Sequence, residues 1–173
     1  MLNSKKSLAL AIALASSFAS TSAFAEDRAT AGYNLTNDTA NEWFATAEKN
    51  VFVFGAQNAL YVNGGVTQLV GGDAAYSVGG GVEYALTQNF LVKAGADYNY
   101  VESADEFVTY RAGLVFQNSN LRVAGSAVKA ESQEVFGEVT AEYTFWKGLG
   151  IGVGGTFDKD EYRGSQIFVS YIF

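Results

Sequence analysis

The sequence predicts an all-β protein, a closed antiparallel up-and-down transmembrane barrel of ten strands. Three observations lead there. Turn-forming breaks recur about every thirty residues from Glu26 to Phe173. The segments between them alternate apolar and polar residues, the period of a strand whose two faces meet different surroundings. No segment after the leader approaches the roughly 20 apolar residues of a membrane helix. A chain of this kind can cross a bilayer only as a closed barrel, because lipid cannot satisfy an open sheet edge.

The leader comes first. "MLNSKKSLALAIALASSFASTSAFA" places Lys5 and Lys6 before an apolar run from Leu8 to Ala15 and ends on Ala23-Phe24-Ala25, a small-x-small cleavage pattern. That order is the order of a secretory signal peptide over 1–25, and the apolar run is too short to span a membrane. The barrel then occupies 26–173 as one domain.

Within it, the strands are expected near 28–35, 43–54, 59–69, 75–86, 90–101, 107–116, 121–129, 135–145, 149–157 and 164–173. Each is about as long as the 9–11 residues of a tilted membrane strand. The tight breaks are "GAQN" at 55–58, "TQN" at 87–89, "QNSN" at 117–120 and "WKG" at 146–148. The second set is small and mostly acidic: "GGDA" at 71–74, "ESADE" at 102–106, "AESQE" at 130–134 and "DKDEYR" at 158–163. Tight turns therefore gather at one end of the barrel and acidic loops at the other. The first unit is the ambiguous one. "TANEWFATAEKN" has capping-box spacing between Thr39 and Glu42 and suits a helix, so eight strands with 26–56 as a periplasmic or plug segment is the rival to ten.

The two faces of each strand differ in chemistry. In 76–87, Tyr76, Val78, Val82, Tyr84 and Leu86 share one face and Ser77, Gly79, Gly81 and Glu83 the other. In 90–100, Phe90, Val92, Tyr98 and Tyr100 oppose Lys93, Gly95, Asp97 and Asn99. In 135–145, Val135, Val139, Tyr143 and Phe145 oppose Glu138, Thr140 and Glu142. Aromatic residues mark the ends of the apolar faces, as at two membrane–water interfaces. A soluble barrel would turn the apolar faces inward. The polar faces here carry Gly, Ser, Thr and isolated charges, too few charges for a solvated exterior, so they are read as the lumen.

Inward charges are then Glu83, Lys93, Asp97, Arg111, Arg122, Glu138 and Glu142. Opposing apolar residues sets the register of each hairpin. Leu86 against Phe90 puts Glu83 opposite Lys93. Tyr100 against Val108 puts Asp97 opposite Arg111. Ala130 against Glu134 puts Arg122 opposite Glu142. The expected result is a lumen filled by ion pairs, since a barrel of about eight to ten strands has an interior about wide enough for side chains to fill.

The chain has no histidine and no cysteine, which excludes Ser-His and Cys-His catalysis, His-bearing metal sites and disulfides. No metal or other cofactor is expected. Glu138 and Glu142 read as lumen structure rather than an acid–base pair, because inward arginines are at hand. "GGG" at 79–81 and "GIGVGG" at 150–155 lead into no helix and are not phosphate loops. With 11 Lys+Arg against 18 Asp+Glu, and Lys5 and Lys6 leaving with the leader, nucleic acid is not an expected partner.

The closing "QIFVSYIF" alternates Ile167, Val169, Tyr171 and Phe173. That pattern resembles the C-terminal insertion signal of Gram-negative outer-membrane β-barrels, although the usual signal favours glycine where this chain has Phe168. With the leader and the hairpin period, the likeness covers the whole chain and resembles the small OmpA/OmpX-type barrels. It implies an outer-membrane location, contact with membrane lipids, delivery by the barrel-assembly machinery and a monomeric state. The function expected is non-enzymatic, structural or surface-interacting. The alternatives are a narrow channel for ions or small solutes and a soluble periplasmic ligand-binding barrel.

Overall fold

The computed structural model describes residues 27–36, 42–55, 58–69, 73–102, 104–131, 133–159 and 161–173; the leader at 1–25 lies outside them. Ten strands form a closed ring. They are β1 (Arg28–Thr36), β2 (Glu42–Phe54), β3 (Asn58–Leu69), β4 (Ala74–Ala85) and β5 (Phe90–Val101), then β6 (Phe107–Gln117), β7 (Leu121–Ala130), β8 (Phe136–Trp146), β9 (Leu149–Phe157) and β10 (Tyr162–Ile172). Each pairs antiparallel with its chain neighbours, and β1 pairs with β10 from Arg28↔Ile172 to Thr36↔Gly164 to shut the ring. The ten-strand expectation is met. The eight-strand rival fails at β2, where the helix-compatible run is extended from Glu42 onward and paired on both sides, Arg28↔Glu48 with β1 and Glu48↔Asn63 with β3, while Thr39 lies outside the described residues. Lattice-like pairing on two edges outweighs a local capping signal.

The tight turns are shaped by their own side chains. Thr87 Oγ1 accepts from the amides of Asn89 and Phe90 at 3.2 and 3.1 Å. Asn118 Oδ1 accepts from Asn120 and Leu121 at 3.1 and 2.9 Å. These are local turns in which a short polar side chain stands in for backbone. Amides also tie neighbouring turns together: the Ala85 N–H donates to Asn58 Oδ1 at 2.9 Å, and Asn120 Nδ2 donates to the Thr144 carbonyl at 2.8 Å. In the "WKG" turn, Lys147 and Gly148 both take positive φ, 41° and 85°, the two-residue geometry that matches strand twist.

The outer wall is apolar. Val78 is 63% exposed and Ile151 57%, in a barrel whose inward positions hold the charges. Aromatic pairs ring both ends. Tyr76–Tyr100 and Phe157–Tyr162 lie toward the loops, and Phe52–Phe54, Phe90–Phe116 and Tyr171–Phe173 toward the turns, with centroids 5.1–6.4 Å apart. Among the described strand residues, the charges on this wall are Lys49 near the turn end and Lys129 near the loop end, where a long stem can carry the ammonium to the interface. A water-soluble barrel does not leave such a band uncovered. The wall is built to face lipid.

Candidate functional site

The candidate site is the lumen, and its charges form two unequal clusters. The first centres on Lys93 of β5. Register sets Glu83 opposite it, and its ammonium lies 3.0 Å from the Glu83 carboxylate. Lys93 also pairs with Glu48 of β2 and sits 4.0 Å from the centroid of the Tyr61 ring, a cation–π contact. Tyr61 reaches this place because Gly81 and Gly95 clear it; a Cβ on Gly81 would come within 2.6 Å of the Tyr61 hydroxyl. Of the inward glycines of "GGG", Gly81 makes room for this ring and Gly79 for the Asp97 carboxylate.

The second cluster centres on Glu142 of β8, 4% exposed. One oxygen pairs with Arg28 of β1, and the other accepts from the Ser170 hydroxyl of β10 at 2.5 Å. Both partners reach across β9, where Gly150 leaves the gap: a Cβ there would meet Ser170 Oγ at 2.7 Å. Beside it, Phe168 turns inward over Gly152 and packs near Gly32 and Phe44. The residue that departs from the C-terminal resemblance is therefore a lumen residue, packed where β10 meets β1 and β9.

Arg122 stands opposite Glu142 in register, as expected from the hairpin. The ion pair expected between them is not made, because Arg28 and Ser170 take both carboxylate oxygens. A second correction concerns Arg111. The β5–β6 register sets Gly95 opposite Arg111 and Asp97 opposite Thr109, two residues from the expected pairing. A slip of two keeps every side chain on its own face, so alternation alone could not discriminate the registers. Arg111 lies diagonally between Asp97 at 3.8 Å and Glu138 at 3.7 Å. Asp97 is held more closely by Asn63 Nδ2, which donates at 2.7 Å.

The sequence reading missed Arg28, Glu48, Tyr61 and Ser170. Period-2 counting would have set Arg28 and Glu48 inward and opposite each other had faces been assigned to the first hairpin. Ser170 and Arg28 reach Glu142 only through closure of the ring, which no single hairpin shows.

The lumen is not wholly filled. A cavity of about 540 Å³ is lined by residues of both ends of the charge network, from Glu42 and Arg163 near the loops to Arg28, Lys93, Arg122 and Glu142. At the loop end, Asp158 pairs with Arg163; the Lys159 amide, donating at 2.6 Å, and this guanidinium hold its carboxyl below the usual aspartate range. Among the described residues, no group of three His, Cys, Asp or Glu could hold a metal ion.

No protein-family model matches the sequence, and no curated protein matches it. Solved structures similar to it include one from a de novo design of transmembrane β-barrels, at 12% identity over 89% of this chain and 100% of that one, TM-score 0.49. Another is an active-site mutant of outer membrane phospholipase A from Escherichia coli, at 7% identity over 87% and 90%, TM-score 0.48. A third is the Yersinia pestis outer membrane protein Ail, at 13% identity over 86% and 99%, TM-score 0.42. This chain's own strand pairing, closed ring and apolar wall make it a ten-stranded antiparallel barrel of the transmembrane type.

Proposed function

We propose that the protein is a non-enzymatic barrel of a Gram-negative outer membrane, with a structural or surface-interaction role. The carrying observation is the lumen network, in which Lys93 and Glu142 tie together side chains from β1, β2, β4, β5, β8 and β10. Such a network braces a barrel from within and obstructs its bore. The apolar wall supports residence in lipid and opposes the soluble periplasmic alternative. Glu142, which acid–base chemistry would need free, is held by Arg28 and Ser170, and the chain offers no histidine or cysteine to replace it.

The narrow-channel reading keeps one observation of its own, the cavity of about 540 Å³ that runs from the loop end to the charged clusters. Conductance across a planar bilayer separates the two. The expected result for the purified, refolded barrel is no stable current step. Regular steps from the unaltered protein would replace the structural reading with the channel.

A further inference from the structure

Among the described residues, one cation on the cavity wall is not used by the network. Arg28 is matched with Glu142, Lys93 with Glu48 and Glu83, and Arg111 lies between Glu138 and Asp97. Arg163 is matched with Asp158. Arg122 also lines the cavity, yet among the described residues it makes no ion pair and no hydrogen bond. Its register partner Glu142 has given both oxygens to other groups. A guanidinium cannot discharge itself by losing a proton, and it carries five N–H donors in a fixed fork. It is half-buried at the cavity wall, with its donors open to a counter-group.

The wall above Arg122 is built small. Ala124 and Ser126 follow it on β7, and Gly113 of β6 faces Ser126. Thr140 of β8 faces Ala124. All four line the cavity, and neither the Ser126 nor the Thr140 hydroxyl is engaged in a hydrogen bond among the described residues. The result is an open volume with a guanidinium at one side and two hydroxyls along it. The cavity of which it is part, about 540 Å³, is many times the roughly 30 Å³ that a water molecule occupies in the liquid.

We propose that this part of the lumen is a binding site for the carboxylate or phosphate group of a small solute, received in the fork of Arg122 with Ser126 and Thr140 beside it. The fork matches both oxyanions in bidentate fashion, and such charge-assisted pairs are the strong ones. Glu48, Glu83, Asp97, Glu138 and Glu142 each already have a cation, and Glu42, at the loop end of the cavity, accepts from Asn34 Nδ2. The site lies inside the barrel and away from the lipid-facing wall, so the ligand is a free solute rather than a lipid headgroup. It does not depend on whether the barrel conducts.

The test uses the purified, refolded barrel in zwitterionic detergent micelles, with inorganic phosphate as probe and chloride holding ionic strength constant. Calorimetry should show saturable phosphate binding that Arg122→Gln weakens at least tenfold and Lys129→Gln, on the lipid-facing wall, leaves within twofold. A second measurement needs no variant. Phenylglyoxal modifies accessible arginines, and peptide mass spectrometry reads each one. Phosphate should slow modification of Arg122 severalfold and leave Arg163 unchanged. Absence of saturable binding, equal binding by Arg122→Gln, or equal protection of both arginines overturns the site.

Discussion

Glu142 shows how one carboxylate decides which neighbours are essential. It is almost wholly buried and receives Arg28 and Ser170 across a glycine gap. Breaking a buried pair by removing one partner typically costs about 3–5 kcal/mol, whereas replacing both by apolar groups is often near neutral. Arg28→Met is therefore expected to lower stability by about that amount, and Arg28→Met with Glu142→Leu to recover much of the loss. Arg122→Met, which breaks no ion pair, should lose far less. Urea unfolding in micelles, followed by tryptophan fluorescence, ranks the three. Had Arg122 been the partner, its variant and that of Arg28 would exchange places. At this scale the sequence is partly legible. Glu83 against Lys93 follows from a three-residue turn and apolar matching, because turn and pattern agree. Arg28 against Glu142 does not, because only closure of the ring brings β1 to within two strands, β9 and β10, of β8.

At the scale of the strand, alternation and turn chemistry carry almost everything. Expected strand limits fall within about two residues of those observed, including β10, which begins at Tyr162 rather than at 164. There the pairing shifts between Tyr162 and Gly164, and a bulge of this kind has no period-2 signature. Similar shifts lie between Asn50 and Phe52 and between Thr144 and Trp146. β2 was the ambiguous strand because Thr39, Glu42 and the residues after them satisfy helix rules locally. What those rules omit is that each backbone amide in lipid must be satisfied, which β1 and β3 do for β2 on its two edges. The glycines of β9 are the strand-level device. Gly152 lies under the Phe168 ring, so Gly152→Val should force the two side chains into the same space. The expected loss is about 1–3 kcal/mol for such overpacking. Adding Phe168→Ala should return part of it, since the valine then occupies what the ring has left. Unfolding midpoints of the two variants measure this; equal midpoints would show that the ring moves aside freely.

For the molecule as a whole, the governing feature is the ring of pairings. Every joint but one unites strands that are neighbours along the chain, and the exception is β1 with β10. The architecture was legible because ten regular hairpin strands with a lipid-facing side admit few arrangements, and closure removes both edges at once. The interior was less legible, because the cavity and the sharing of Glu142 arise from contacts across the ring. The single distant joint has a kinetic meaning. Hairpins form from residues close in sequence, and pairing of distant segments is slow because chain entropy must be lost before contacts repay it. The β1–β10 seam should therefore be among the last parts to form and the first to part. Substitutions there, such as Gly32→Val against Phe168, should speed unfolding while leaving the folding rate nearly unchanged. A change of similar size in a local hairpin, such as Gly113→Val against Ser126, should slow folding instead. Stopped-flow folding and unfolding in urea with lipid vesicles would distinguish them. The seam is in this sense a clasp: it sets how long a finished barrel lasts, while the hairpins set how quickly one is made.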